Sequence, residues 1–198
     1  MMFAVGHFAL GYLTGKLSSK FLNVHVSLPL LFLVSVFPDV DILFPFLEHR
    51  GPLHSVLFWC LIFVPLFWLY RKRAAPYFVA LLQHSLIGDY LTGGSQLLWP
   101  FSLKSYGLDI GIRSTFNLGL EWVLFIASVV VMFKAKDLKM LLKPDSTNFV
   151  LLIPLMTVLL PMIVSFPLYI SMALLVPHLF FICLFGISLY VALREFQN

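Results

Sequence analysis

Residues 117–134 read NLGLEWVLFIASVVVMFK, an apolar run that contains one acidic residue, Glu121, and ends at Lys134. An α-helix of about 20 such residues crosses the roughly 30 Å hydrocarbon core of a bilayer. Several other runs in the chain approach this length. Strands of a membrane barrel would alternate apolar and polar side chains at every second residue, which these runs do not do. The sequence therefore predicts an all-α membrane protein.

The composition of the chain supports this class. Of its 198 residues, 61% are hydrophobic and 11% are charged, which is more apolar surface than a soluble core of this length could bury. Lipid must therefore solvate much of the surface. The net charge of +4 is modest and gives no case for nucleic acid as a partner. Cys60 and Cys183 lie in apolar runs without metal-binding spacing, and we expect both to be inert thiols.

Hydrophobic runs predict seven helical segments, of which about five to seven form a polytopic membrane bundle. The second segment, about thirteen residues long, would rise only about 20 Å, so we expect short or recessed helices near the N-terminus. We expect a single domain over 1–198, with the metal site in 1–116 and a helical scaffold in 117–198. The first run lacks a preceding basic residue, unlike a secretory signal, and is expected to stay in the mature fold. The predicted segments are 2–19, 26–38, 53–70, 75–92, 117–134, 148–165 and 168–193.

Basic residues predict how the chain is oriented in the membrane, because lysine and arginine gather on the cytoplasmic side. With the basic ends in the cytoplasm, the segments alternate without contradiction in a multi-pass protein of the plasma or inner membrane. The motifs at 37–41, 49–55 and 84–89 and the loop 93–116 then share the extracytoplasmic side. The basic residues are Lys16, Lys20, Arg71, Lys72, Arg73, Lys134, Lys136, Lys139, Lys143 and Arg194.

The motif FPDVD at 37–41 places two carboxylates after a proline that ends or bends the preceding helix. In an extended turn, Asp39 and Asp41 could both reach one cavity, or one could bind a metal while the other orients a histidine. The alternative is an acidic helix end that faces water.

The motif HRGPLHS at 49–55 gathers two histidines and an arginine around a proline suited to a first helical turn. His49 would then precede the helix and His54 would lie in its opening turn, where free N–H groups favour an anion. Arg50 adds a planar donor suited to phosphate. The alternative is a polar helix cap with interfacial histidines.

The segment QHSLIGDYLTGG at 83–94 contains His84 and Asp89 five residues apart. In an ideal α-helix they would point about 140° apart. They share a face only if the helix widens locally, as at a π-bulge, or ends near Gly88. The alternative is a buried structural histidine.

Other histidines and one acid complete the candidate set. His7 and Glu121 lie near the outer ends of their helices and could face the same cavity, although each alone is more typical of a structural residue. His25 and His178 have no polar companions and are predicted not to bind metal. Retaining ionisable groups at bilayer depth is explained best by coordination or catalysis. The nitrogen and oxygen donors suit one to three divalent ions, Zn²⁺ first and Mg²⁺ or Mn²⁺ as alternatives.

These motifs, in order, resemble the YdjM-like family of LexA-regulated, inner-membrane-associated metal-dependent hydrolases. The matching pieces are His7 with Gly11, then 37–41, 49–55, His84 with 88–94, and LLWPF at 97–101. The family is itself similar to zinc-dependent phospholipase C, which implies phosphoester hydrolysis. The resemblance implies metal-ligand roles for His7, Asp39, His49, His54, His84 and Asp89. It also implies a His-to-Asp spacing of four in the fourth helix, from which this chain departs.

The resulting hypothesis is a membrane-embedded hydrolase that uses a divalent metal and acts on a membrane lipid or another amphiphilic phosphoester. Asp41 or Glu121 would serve as general base or would orient a ligand, and Arg50 would hold the phosphate. One alternative is an ion- or proton-coupled transporter, because intramembrane acids and histidines also build proton relays. Another is a non-catalytic scaffold in which a metal holds short helices together.

Overall fold

The computed structural model describes residues 2–44, 46–166 and 169–195. These residues form helices and connecting turns without a β-strand, apart from one isolated bridge between Ser95 and Tyr106. The all-α prediction is therefore confirmed. The α-helices are α1 Ala4–Leu22, α2 Leu28–Val36, α3 Val56–Tyr70, α4 Ala75–Gln83, α5 Tyr90–Thr92, α6 Thr115–Lys134, α7 Asp137–Leu141, α8 Leu152–Ile163 and α9 Leu175–Glu195.

Each predicted helical segment overlaps an observed helix, but several ends differ. The predicted segment 148–165 is a 3₁₀ turn, Ser146–Leu151, followed by α8. The predicted start at 168 is too early, because residues 169–171 are not helical and regular structure resumes at Met172; residues 167 and 168 lie outside the described chain. Helix α7 follows the basic end of α6 and was not predicted.

An aromatic core joins the two halves of the chain. Phe8 of α1, Phe32 of α2 and Phe181 and Phe185 of α9 are fully buried, and their ring centroids lie 5.1–6.0 Å apart. Aromatic rings at such separations add attraction beyond the burial of their surface. The second half therefore packs directly on the helices that carry the polar motifs.

Small residues let α1 and α2 approach closely. A Cβ atom on Gly11 would lie 2.3 Å from the Ser35 Cβ, and one on Gly15 would lie 2.4 Å from a Leu31 methyl group. Any larger side chain would force the two helices apart.

Three helical stretches in the described residues are long and apolar enough to cross a membrane: Thr115–Lys134, Ser146–Ile163 and Met172–Glu195. They all lie in the second half of the chain. Membrane crossing by the other predicted segments, which would bring the number of hydrophobic helices to five to seven, stays a prediction.

The basic ends of several elements meet at one end of the molecule. Lys72, in the turn between α3 and α4, donates from its Nζ to the carbonyl oxygen of Leu22 at the end of α1, 3.2 Å away. Near the same end of α1, Lys16 and Tyr12 both bind the buried carboxylate of Asp137. We call Tyr12, Lys16 and Asp137 the Asp137 cluster. The motifs 37–41 and 49–55 lie instead toward the start of α1.

Candidate metal centre

Four buried side chains from three separate segments converge near the N-terminal end of α1. Asp39 comes from the 3₁₀ helix Phe37–Leu43, His54 from the 3₁₀ turn Pro52–His54, and His84 and Asp89 from a π-helical segment, His84–Asp89. The Nε2 of His54 lies 3.5 Å from Asp39 Oδ1 and 3.1 Å from Asp89 Oδ2. The Nε2 of His84 lies 3.3 Å and 3.6 Å from the same two oxygens. We call these four residues the quartet.

The π-helical segment brings His84 and Asp89 to the same face. Hydrogen bonds between residues five apart widen the turn, so side chains at positions i and i+5 lie above one another instead of about 140° apart. The segment continues α4 without a break and passes into α5. The widening that the five-residue spacing requires is therefore present, and both residues face the quartet.

The FPDVD motif forms a 3₁₀ helix, so the predicted extended turn is wrong. Pro38 lies in the first turn of this helix, where its missing N–H leaves no bond unmade. With about three residues per turn, side chains two positions apart diverge by about 120°. Asp39 and Asp41 consequently approach His54 from opposite edges of its ring, at Nε2 and Nδ1.

The second nitrogen of each quartet histidine faces an acceptor. His84 Nδ1 lies 2.9 Å from the carbonyl oxygen of Ser35, which can only accept, so Nδ1 carries a proton and Nε2 is the nitrogen left to bind a metal. His54 Nδ1 lies 3.2 Å from Asp41 Oδ2. Metal-binding histidines almost always direct their other ring nitrogen to a carbonyl or carboxylate in this way.

The quartet atoms have no satisfactory protein partners. The buried atoms without a hydrogen bond include His54 Nε2, His84 Nε2, Asp39 Oδ1 and both carboxylate oxygens of Asp89. The four nitrogen–oxygen separations among these atoms, 3.1–3.6 Å, are close to the distances of about 3.3–3.6 Å between ligands that share one ion at 2.0–2.2 Å. This donor set could therefore hold a metal ion.

Electrostatics keep the acids of this region ionised. Burial alone would raise the pKa of Asp39, but His84 and His54 outweigh burial and hold that pKa well below its usual value. For Asp41, burial is likewise outweighed by His49 and His54, which lower the pKa. Ionised carboxylates are the form that binds a metal.

His7 extends the cluster on the side of α1. Its ring stacks on that of His84, with centroids 3.7 Å apart, and both of its ring nitrogens are buried without a hydrogen bond. His7, Asp39 and His84 form a second group whose ligand atoms lie within 4.8 Å of one another. Gly88 makes room for His7, because a Cβ there would lie 2.3 Å from the His7 Cε1.

His49 and Arg50 lie at the more exposed edge of the centre. His49 Nδ1 lies 2.9 Å from Asp41 Oδ1, and His49 forms a third group with Asp39 and His54. Arg50 donates from its backbone N–H to Asp41 Oδ2 at 3.2 Å, and its guanidinium lies 3.8 Å from Asp89 Oδ1. Its Nη1 lies against Gly93, where a Cβ would come within 2.2 Å.

The start of α3 differs from the prediction. The N-cap is Ser55, whose Oγ accepts from the backbone N–H of Phe58 at 3.2 Å, so His54 precedes the helix and does not lie in its opening turn. The same hydroxyl lies 2.8 Å from the carbonyl oxygen of Trp99 and donates to it. Ser55 therefore occupies the position where an anion was expected at this helix start.

Glu121 belongs to none of the candidate metal-binding groups found among the described residues. Its Oε1 accepts from the backbone N–H of Phe3 at 3.0 Å and from Asn117 Nδ2 at 2.9 Å. The carboxylate thus binds a free N–H group at the start of α1. Of the two predicted non-ligands, His25 is exposed, and His178 donates from Nδ1 to the carbonyl oxygen of Leu174 at 2.8 Å.

An apolar cavity of about 260 Å³ adjoins the centre at Asp39. The 3₁₀ helix Phe37–Leu43 and the start of α1 form one side, and α8 and α9 contribute Met156, Leu160 and His178 on the other. Sequence reasoning assigned the second half to scaffold alone and missed this lining. The one available signal was His178, an ionisable residue within an apolar run.

The model of the YdjM inner membrane protein family matches residues 1–172. The chain belongs to this family. No curated protein and no solved structure matches the chain significantly. The YdjM match includes all residues of the quartet, His7, His49, Arg50 and Glu121, and it confirms the resemblance seen in the sequence motifs.

Proposed function

We propose that this YdjM-family protein is a membrane-embedded hydrolase that requires a divalent metal, most simply Zn²⁺, and cleaves a lipid-like phosphoester. The observation that carries the proposal is the quartet of His54, His84, Asp39 and Asp89. The four nitrogen–oxygen separations among its unpaired ligand atoms are 3.1–3.6 Å, close to those between ligands of one zinc ion. His7 and His49 extend the donor set toward a second or third ion.

Three of the quartet side chains, such as His54, His84 and Asp89, would hold the ion and leave a position for water. When bound, the ion supplies positive charge to a phosphoester and lowers the pKa of the attacking water. Hydrolysis adds water to phosphorus and breaks the bond to the alcohol leaving group. Asp41 fits the role of a positioning residue, because it touches both His49 and His54. Asp41 is 1% exposed and its pKa is held below the usual value, which suits this orienting role better than that of a general base, whereas Glu121 is committed to the start of α1.

Arg50 supports phosphate as the group that is recognised. Its guanidinium is partly exposed and lies beside Asp89, and Gly93 leaves space for it. A planar guanidinium binds two phosphate oxygens at once. An anion at this edge would face Arg50 and the exposed ring of His49 together.

The membrane setting supports an amphiphilic substrate. The family is one of inner membrane proteins, and three stretches are able to cross a bilayer. We propose a multi-pass bundle in which the basic end near Leu22 and Asp137 is cytoplasmic and the metal centre faces the extracytoplasmic side. Single cysteines introduced into the loops 93–114 and 71–74 test this orientation. A thiol reagent that cannot cross the membrane should label the first loop from the extracytoplasmic side and leave the second unlabelled.

The decisive experiment combines metal content and activity in detergent-purified protein. Elemental mass spectrometry should find a stoichiometric divalent ion in the wild type and a loss of that ion in His54→Ala and His84→Ala. His25→Ala is the matched control, since His25 is exposed and remote in sequence from the motifs. Release of phosphate or alcohol from phospholipid and alkyl phosphate substrates should follow metal content.

Two other functions predict different outcomes. A transporter would move protons or metal ions across liposomes without hydrolysing any phosphoester, and that result would reject the hydrolase. A metal-stapled scaffold would lose its fold, not only its activity, when His54 or Asp89 is replaced. Variants at these positions that melt like the wild type but are inactive would therefore reject the scaffold.

A further inference from the structure

The cavity next to Asp39 is a second structural feature that the metal centre does not explain. Its lining is almost wholly apolar, and Asp39 is the acidic residue on it. The same residue contributes Oδ1 to the quartet. The cavity therefore begins at the metal centre and continues as a hydrocarbon-like space.

The walls of the cavity come from both halves of the chain. Met2 and Phe3 precede α1 and are buried, and Ile42 and Leu43 end the 3₁₀ helix that carries Asp39. The opposite wall is α8, which lies within a stretch able to cross a membrane. Such an arrangement places this apolar cavity, which we call the slot, between the metal centre and the hydrocarbon of the bilayer.

Exposure of the lining shows that the slot is open on one side. Leu43, Leu152 and Phe166 are 58%, 56% and 42% exposed, whereas Phe3 is 3% exposed. A molecule in the membrane could therefore enter sideways, past the exposed residues, and reach the buried end beside Asp39.

From this geometry we infer that the slot binds a single alkyl or isoprenoid chain of an amphiphilic phosphoester, with the chain beginning at the metal centre. The inference rests on the proposed function for its headgroup. A cavity of about 150 Å³ holds one six-carbon benzene ring, so about 260 Å³ accommodates on the order of ten carbon atoms. The slot thus selects substrates with one chain close to the phosphate. Thr157 and His178 are the other polar side chains on the lining.

The test uses a twelve-carbon alkyl phosphate with a photoreactive diazirine on its terminal carbon and metal-loaded protein in lipid nanodiscs. After irradiation, mass spectrometry should locate the label on lining residues of α8 such as Met156 and Leu160. Unlabelled dodecyl phosphate should compete for this labelling, and butyl phosphate should not. Label spread evenly over lipid-facing residues would overturn the inference.

A filling substitution provides the matched comparison. Leu160→Trp should abolish labelling of the slot, whereas Ile163→Trp, on the same helix but 74% exposed and absent from the lining, should leave it intact. Met156→Trp is a second filling variant should Leu160→Trp fold poorly. Labelling that both filling variants leave unchanged would overturn the inference.

The outcomes separate this inference from the proposed function. Specific labelling of the slot without hydrolysis of any phosphoester would retain the chain site and reject the hydrolase. Hydrolysis that is indifferent to chain length and to Leu160→Trp would retain the hydrolase and reject the chain site.

Discussion

Two buried polar clusters lie near opposite ends of α1, and their atoms are satisfied in opposite ways. In the Asp137 cluster, the Tyr12 hydroxyl donates to Oδ2 at 2.7 Å and Lys16 Nζ donates to Oδ1 at 2.8 Å. Every close contact there joins a donor to an acceptor. In the quartet, ring nitrogens and carboxylate oxygens approach to 3.1–3.6 Å without aligned hydrogen bonds.

The difference shows how a structural cluster can be told from a binding site. Burying a polar group without a partner destabilises a protein, so a cluster that completes its own hydrogen bonds is explained by folding alone. A cluster that leaves its ligand atoms facing one another has the arrangement expected of a cation site. The quartet should therefore respond to metal, and the Asp137 cluster should not.

The largest expected effect is the response to metal removal. A ligand at about a thousand times its Kd stabilises the folded state by about 4 kcal/mol, which corresponds to about 8–16 °C in Tm for a chain of this size. A chelator should lower the Tm of the wild type in detergent by this amount and leave His54→Ala unaffected. His25→Ala should respond like the wild type. An equal Tm of the wild type with and without chelator would contradict the distinction between the quartet and the Asp137 cluster.

Lys16→Met should give the next largest effect, at the other cluster. It leaves the Asp137 carboxylate, 1% exposed, with Tyr12 but without a counter-charge, and we expect a loss of about 3 kcal/mol in the free energy of unfolding. Metal content should stay at the wild-type level. Lys20→Met, at an exposed position of α1, is the control. Loss of bound metal in Lys16→Met would show that the two clusters are not independent.

Asp41→Asn should weaken the metal centre without removing a quartet ligand. Asp41 lies beside the second nitrogen of His54, and replacing such a partner lowers metal affinity about 10–100-fold. Competition with a metal-sensitive dye measures the change, and Asp109→Asn, on an exposed loop, controls for lost charge. Unchanged affinity would remove Asp41 from the centre.

Tyr12→Phe should have the smallest effect. It removes one hydrogen bond to a carboxylate that keeps its lysine partner, for about 1.5 kcal/mol of stability, the lower end for a bond to a charged group. Denaturant or thermal unfolding should detect this change, while metal binding and its chelator response stay intact. Tyr70→Phe, at a residue that is 58% exposed, should be neutral. A metal-dependent change in Tyr12→Phe would contradict the assignment of this cluster to folding.

Much of the centre was predictable because its ligands sit in short motifs. Asp39, His54, His84 and Asp89 were all candidates from residue type and order. Of the two ways in which His84 and Asp89 could share a face, a widened turn or a helix end near Gly88, the structure contains the widened turn. One of the alternatives from the sequence also had one of Asp39 and Asp41 bind a metal while the other orients a histidine. Residue identity and local spacing carry this kind of information directly.

Features that depend on distant packing were not predictable. The commitment of Glu121 to the start of α1 follows from a contact with Phe3, more than a hundred residues away. The cap at Ser55 is local by contrast, and serine before an apolar run could have indicated it. Asp137 is a lone acid among the lysines that follow α6, a signal that could have marked it for a partner. Its partners on α1, more than a hundred residues away in the sequence, could not be read from the sequence.

The π-helical segment also has a consequence for how this chain tolerates changes in length. A widened turn uses one residue more than an α-helical turn for a comparable advance, so it behaves as an insertion absorbed within a few residues. Deleting the partly exposed Ile87 should let the segment relax to α-helix and leave the two ligands four apart on one face. The alignment of His84 with Asp89 and the local helix type would then be separable, with the first retained while the second changes.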